Sequence, residues 1–301
     1  MEVFGAGWLK HAIQNGRKEL VDIDKMEVNL GIKRIIVCGT GPSLDTDIDK
    51  LKEIHDNDPH TWIMSNHSNT STLLFYGIVP DLVSVVDSQE LTLTRFKRDI
   101  FPSFSEAMRR RKTKFIMPTH IQPQLVDLIQ KFKFELYFYM AFLRIYDPAD
   151  AFPNFFNDIL GFVTQPSIQT TTLQAGCVSN ASVLNCFTMK LAGILPNLEE
   201  VICSGVDYAY PHGITRCTQI TWNERKENFD VEKNVTFLGS NIGKVYYNGL
   251  LTSEDQVSYY RDLRFLALNM KLEDESLPFR MFTSQQNFIS DFLEVKALGI
   301  L

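Results

Sequence analysis

The chain has 301 residues, a net charge of −6, and 45% apolar and 22% charged residues. That balance excludes a disordered, collagenous or coiled-coil protein and leaves room for one large α/β domain or two smaller lobes. An acidic whole exerts no general pull on nucleic acid, so none is expected as a partner. The longest apolar run, Leu136 to Leu143, falls far short of the roughly 20 residues that span a bilayer, so no membrane span is expected. The first twenty residues hold no continuous apolar stretch of signal-peptide type. The five cysteines (Cys38, Cys177, Cys186, Cys203, Cys217) are scattered, without a CxxC pair, which fits a reducing cytoplasm better than a disulfide framework or a zinc site.

Residues 1–30 read as a helical lead-in, with Trp8, Leu9, Ile13 and Leu20 at near-helical spacing. Five short apolar runs follow, beginning at Arg34, Thr61, Leu82, Lys114 and Glu200, and the first and last stop at a glycine. Their lack of polar alternation predicts strands covered on both faces, as in a parallel sheet. Amphipathic stretches such as Asp45–His55 and Leu91–Arg111 supply the crossover helices that parallel strands require. The prediction is therefore an α/β, Rossmann-like, mostly parallel open sheet with helices on both faces. An aromatic-rich insert at about residues 120–170 interrupts the main domain, 31–265, and residues 266–301 form a C-terminal extension, with helices near the C-terminal end. The insert's pattern fits a lid, an acceptor site or a subunit interface alike, the last giving a homo-oligomer.

In such sheets the ligand sits beyond the carboxyl ends of the strands. Three of those positions are rich in glycine and polar residues. The first is Gly39-Thr40-Gly41-Pro42-Ser43, between a strand and a helix, where exposed amides and the serine hydroxyl suit a phosphate or carboxylate. The same residues also make an ordinary tight turn with an N-cap. It is neither a Walker A loop nor a complete GxGxxG. The second is the strand end carrying Asp87 and Ser88, with Asn66 on the neighbouring strand end; a carboxylate there accepts ribose hydroxyls, helps hold Mg²⁺, or merely caps a helix. The third pairs the helix start Gly176, Ser179 and Asn180 with the strand end at Asp207, followed by Tyr210 and His212. Tyr210 can donate to a leaving phosphate, and His212 can move a proton near neutral pH. The run Arg109–Lys112 reads as a solvated helix end, and His55, His60 and His120 have no metal-ligand spacing.

Taken in order, GTGPSL (39–44), GIVPDLVSVVD (77–87), VSNA (178–181) and GVD (205–207) resemble the MptE-like hydroxymethylpterin pyrophosphokinase domain family. That family includes the central domain of the motility accessory factor (Maf) glycosyltransferases. The resemblance covers roughly residues 30 to 265 and lacks the long flanks of full-length Maf proteins. It implies two chemistries. Archaeal pterin members transfer pyrophosphate from ATP with Mg²⁺; motility-associated members are similar to small bacterial sialyltransferases that use a CMP-activated nonulosonic acid. In the latter, tyrosines soon after the strand-end aspartate bind the departing phosphate, and Tyr210 is the nearest match. Maf-like sequences often carry Gly-x-Thr-His; here Gly213-Ile214-Thr215-Arg216 has arginine in its place, still able to grip a phosphate or carboxylate.

The leading expectation is a cytoplasmic, nucleotide-dependent transferase, a glycosyltransferase acting on a nucleotide-activated sugar and a hydroxyl-bearing acceptor, with no cofactor. Loop amides, Tyr210 and Arg216 would stabilise the leaving phosphate, and Asp207 or His212 would be the base. The alternative is a pyrophosphokinase in which Asp87, with Asp81 or Asp207, holds Mg²⁺ on ATP. A third reading is a nucleotide-binding module without turnover.

Overall fold

The computed structural model describes residues 2–86, 88–139, 194–210, 213–214, 216–218, 245–247, 249–254, 256–257, 260–261, 263–264 and 279–301. Within them, helix α1 (Glu2–Asn15) leads to strand β1 (Arg34–Cys38), helix α2 (Leu44–Asn57), β2 (Thr61–Asn66) and α3 (Thr70–Phe75). Then come β3 (Leu82–Ser84), α4 (Glu90–Arg95), α5 (Phe101–Arg111), β4 (Lys114–Pro118), α6 (Pro123–Lys131) and β5 (Glu135–Tyr139). The chain returns as β6 (Glu200–Ser204), a small antiparallel pair β7 (Val245–Tyr247) and β8 (Leu250–Thr252), and finally β9 (Arg280–Thr283) and β10 (Glu294–Val295).

The main sheet has eight strands in the order β10-β9-β6-β1-β2-β3-β4-β5, and every pairing is parallel. All five predicted strands are present. The periodicity that predicted crossover helices also holds: Leu44, Ile48, Leu51 and Ile54 turn one face of α2 to the sheet. The Leu91–Arg111 stretch is a single path in which a π turn, Phe96–Ile100, joins α4 to α5. It stops at Lys112, whose φ of 59° is left-handed, and the Lys112 N–H closes the end on Arg109 O.

Two differences from the sequence-based expectation concern boundaries. The predicted insert at 120–170 begins with ordinary sheet elements, since α6 and β5 occupy Pro123–Tyr139; residues 140–170 lie outside the described residues. The predicted extension 266–301 contributes β9 and β10 to the same sheet beside β6. The lead-in is likewise part of the body. Phe138 N donates to Val21 O, and Ile23 and Met26 are buried against the sheet. Near the other end, helical residues recur at 254, 256–257, 260–261 and 263–264.

One face of the sheet buries Ile35, Val37, Trp62, Met64, Val201 and Cys203. The opposite face buries Ile36, Cys38, Ile63 and Ile202 against α2, and Val83, Phe115 and Met117 against α5 and α6. Cys38 and Cys203 are buried thiols whose pKa values burial raises, Cys203 to about 12, so they act as small apolar groups.

The amino ends of the strands carry charge that is fully paired. Arg34 is 3% exposed; its Nε donates to Glu200 Oε1 at 2.5 Å and its Nη1 to Gly299 O at 2.5 Å, with Asp58 Oδ2 3.9 Å away. Lys296 also binds Glu200. Arg111 forks onto Asp81 at 2.7 and 3.2 Å, so the basic run at the end of α5 is partly a tie to the strand below. Burial by itself would raise the Glu200 and Asp58 pKa values. Bonds from Lys296 and Arg34 to Glu200, and from Thr61, His60 and Leu301 to Asp58, outweigh it and leave both below the ordinary carboxylate range. A depressed folded-state pKa adds stability above the unfolded value, and that stability is lost as pH falls through the folded value. Arg34→Ala is therefore expected to cost about 3–5 kcal/mol at pH 7 by leaving two buried carboxylates short of a partner. Urea melts should show that cost shrinking below pH ~4, where carboxylates protonate; a cost independent of pH would contradict the pairing.

Candidate functional site

The strand order reverses between β1 and β6, the point where open α/β sheets hold ligands. In this protein the turns after those two strands are pressed together. Gly39 N donates to Ser204 O at 2.7 Å and Gly41 N to Gly205 O at 2.6 Å. A Cβ on Gly39 would lie 2.2 Å from Gly205 O, and one on Gly41 would lie 2.4 Å from Asp207 Oδ2. Only glycine permits this approach. Gly205 turns the chain with φ +68°, and Tyr208 follows with φ 51°, an unusual conformation for a bulky residue.

Asp207 closes the junction. Its Oδ2 accepts from Ser43 N at 2.8 Å, and its Oδ1 accepts from Ser43 Oγ at 2.5 Å and Asn287 Nδ2 at 3.1 Å. Burial raises the Asp207 pKa against these bonds, with nearby Asp47 adding to the rise. The amides expected to cradle a phosphate are thus largely spent inside the protein: those of Gly39 and Gly41 on β6, that of Ser43 on Asp207. Pro42 has none, so Thr40 contributes the remaining backbone N–H of the turn. Asp207, sought as a base or Mg²⁺ ligand, has both oxygens engaged and acts as a latch.

One strand further along, Asn66 ends β2. Its Oδ1 accepts from Ser68 N at 2.8 Å and Asn69 N at 3.1 Å, while Asn69 Oδ1 accepts from Asn66 N at 3.0 Å. This reciprocal pair has the form of a capping box. Asn69 Nδ2 reaches back to Cys38 O at 2.9 Å and Gly39 O at 2.7 Å, binding this turn to the glycine turn. Arg216 lies beside the same turn. Its neighbour Cys217 donates to Thr40 O at 2.8 Å, and Thr218 N donates to both oxygens of Asp45. Arg95, at the end of α4, extends to Ser68 O at 3.4 Å.

The remaining expected residues are placed as follows. Tyr210 is buried, its hydroxyl 3.0 Å from Ser253 Oγ and its N–H bonded to Leu251 O. Ser88 donates to His120 O at 3.1 Å and meets His11 Nδ1 at 2.8 Å, under α1 rather than at the glycine turn. Trp8 of the same helix stacks on His120 at 4.8 Å, which makes His120 part of the α1 docking surface. Asp87, Gly176, Ser179, Asn180 and His212 lie outside the described residues. Asp81, considered for Mg²⁺, stands before β3, at the opposite end of the strands from the turns, and is held by Arg111 and Ile63 N. Among the described residues no cluster of three His, Cys, Asp or Glu side chains is arranged to hold a metal.

Sequence reasoning missed Asn69, Asn287, His67 and Arg95. Asn69 carries a local signal, the Asn-x-x-Asn spacing with Asn66, and His67 follows Asn66 directly; Asn287 and Arg95 come from distant segments. If the latch organises the site, Gly41→Ala should cost about 1–3 kcal/mol in chemical denaturation, because its Cβ displaces Asp207 from Ser43. A variant as stable as the wild type would contradict this.

The family model described as "6-hydroxymethylpterin diphosphokinase MptE-like" matches residues 10–213. A search of curated proteins finds no match. Among solved structures, the MAf glycosyltransferase from Magnetospirillum magneticum AMB-1 aligns over 97% of this chain with a TM-score of 0.59 at 14% identity. The chain spans 39% of that protein's length. No described helix is long and apolar enough to cross a membrane. The glycine turn latched to β6, the parallel eight-stranded sheet and a family match over more than half of its length make the chain a member of the MptE-like family.

Proposed function

We propose that the protein is a nucleotide-dependent transferase, and within that class a glycosyltransferase acting on a nucleotide-activated sugar. One observation carries the reading. At the carboxyl end of a wholly parallel sheet, where strand order reverses, Thr40, Asn66, Arg216 and the Asp207–Tyr210 turn are drawn together from separate stretches of chain. Membership of a family named for a diphosphokinase, and a fold shared with a glycosyltransferase, both support transfer from a phosphorylated donor.

In this reading the bond broken joins the sugar carbon to a phosphate oxygen, and the bond formed joins that carbon to the acceptor oxygen. Negative charge grows on the leaving phosphate, where Arg216, Tyr210 and the Thr40 amide would receive it. The acceptor proton needs a base. Because Asp207 is held by Ser43 and Asn287, His212 takes that role in the proposal. Asp207 then works through Ser43, fixing the turn that positions the donor.

The family's name favours a second reading, diphosphate transfer from ATP, in which Asp87 would hold Mg²⁺. A thermal-shift series with CMP, CDP, UDP, GDP and ATP, each with and without Mg²⁺, separates the two. A ligand at about 100 times its Kd stabilises the folded state by about 2.7 kcal/mol, worth several degrees in Tm. A metal-independent rise with CMP or CDP is expected; a rise with ATP and Mg²⁺ alone would favour diphosphate transfer. With the matching activated sugar, Tyr210→Phe combined with Arg216→Ala should lower turnover at least about 100-fold. Activity within a few-fold of wild type would sink the assignment.

A further inference from the structure

Folded proteins bond nearly all their buried polar atoms, and exceptions that cluster are informative. Three such atoms lie together at the carboxyl ends of β2 and β3. Asn66 is 5% exposed and Ser84 is 1% exposed, yet Asn66 Nδ2 and Ser84 Oγ have no hydrogen-bond partner among the described residues. His67 Nδ1 is buried without one as well. Asn66 and Ser84 are register partners on adjacent parallel strands, so their side chains emerge on the same face. His67 N bonds Ser84 O, which holds the third residue in the same corner.

The orientation of Asn66 is imposed. Its carbonyl oxygen takes two backbone amides of the following turn, so the Nδ2 donors must point the other way. Leaving such groups bare is costly, and nothing in the fold's own packing calls for it. Around this corner stand two cations from separate elements. Arg95 reaches over Ser68, and Arg216 is tied beside Thr40. They are near enough for the charge of Arg216 to act on Arg95, and for both to act on His67. Burial first, and then these two charges, push the His67 pKa down to about 3, so the imidazole is neutral and adds no further positive charge.

We infer that Asn66 Nδ2, Ser84 Oγ and His67, with the guanidinium groups of Arg95 and Arg216, form a subsite for a phosphoryl group. The inference deepens the proposed transferase reading: it rests on the same strand-end site and moves the phosphate from the latched glycine turn to the β2–β3 corner. Amide and hydroxyl donors with two guanidiniums nearby suit a tetrahedral oxyanion, for which Arg offers forked charge-assisted bonds. Arg95, Ser84 and His67 are the new assignments. The phosphoryl group belongs either to a nucleotide or to a free phosphate-bearing substrate.

The test is calorimetric binding of CMP, cytidine, inorganic phosphate and pyrophosphate to wild type, Arg95→Gln and Ser84→Ala. The inference expects wild type to bind at least one phosphorylated probe, with Arg95→Gln weakening it about 10-fold or more and leaving cytidine unaffected. Ser84→Ala should weaken the same probe by several-fold while raising the Tm of the free protein, since it deletes a buried hydroxyl without a partner among the described residues. That pairing also guards against a variant that merely misfolds. If CMP binds and both substitutions leave it unchanged, the subsite is wrong and the nucleotide reading stands. If only phosphate or pyrophosphate binds, in an Arg95-dependent way, the subsite stands and the nucleotide reading fails. Should no phosphorylated probe bind wild type, both are overturned.

Discussion

The molecule around the site depends on one close approach, the contact between the turn after β1 and the turn after β6. Backbone meets backbone there, with Gly39 and Gly41 amides on the carbonyls of Ser204 and Gly205, and no side chain fits between them. Ser43 and Asp207 then tie the start of α2 to the end of β6. A helix N-terminus attracts anions, and here an internal carboxylate satisfies one of its donors. The junction is polar, partly buried and internally satisfied, which makes it rigid. In the proposed function it is a foundation for the ligand site more than the site's whole surface.

From that foundation the neighbouring turns are built outward. Asn69 bridges the ends of β1 and β2, and its partnership with Asn66 sets the direction of the Asn66 amide. Cys217 and Thr218 fasten another stretch of chain over Thr40 and Asp45. Each link is a backbone group held by a side chain or by backbone from elsewhere, so the strand-end edge is assembled by long-range contacts. Displacing one anchor would move several functional groups together.

The two ends of the sheet treat charge in opposite ways. At the amino ends, Arg34, Asp58, Glu200 and Lys296 are matched, as are Arg111 and Asp81. At the carboxyl ends of β2 and β3, polar atoms are buried without partners among the described residues and two arginines share a neighbourhood. Paired charges serve stability, and the unmatched donors are what the proposed phosphoryl subsite rests on. The π turn following Arg95 belongs to the same edge, and such turns often accompany function.

Much of the fold was legible in the sequence because β-branched runs ending at glycine leave few options. Ile35-Ile36-Val37 and Val201-Ile202 read as strands buried on both faces, and they are. Spacing in α2 and α5 marked the crossover helices, and the order of short motifs marked the MptE-like family. The aromatic stretch around Glu135–Tyr139 did not read as a strand, because aromatic residues pack equally well in loops and helices, and only its pairing with β4 decides it. Strands β9 and β10 were hidden for a similar reason: they are short, and their partners are far away in the chain. The sequence by itself determined the strand–helix alternation, the glycine turn and the strand-end aspartate, because these follow from local sterics and periodicity. Tertiary structure alone decided that Asp207 faces Ser43, that Asn287 joins it, and that Asn66, His67, Ser84, Arg95 and Arg216 share one corner. Hydrogen bonds and charge act through space, and the chain must fold before residues so far apart in order can meet.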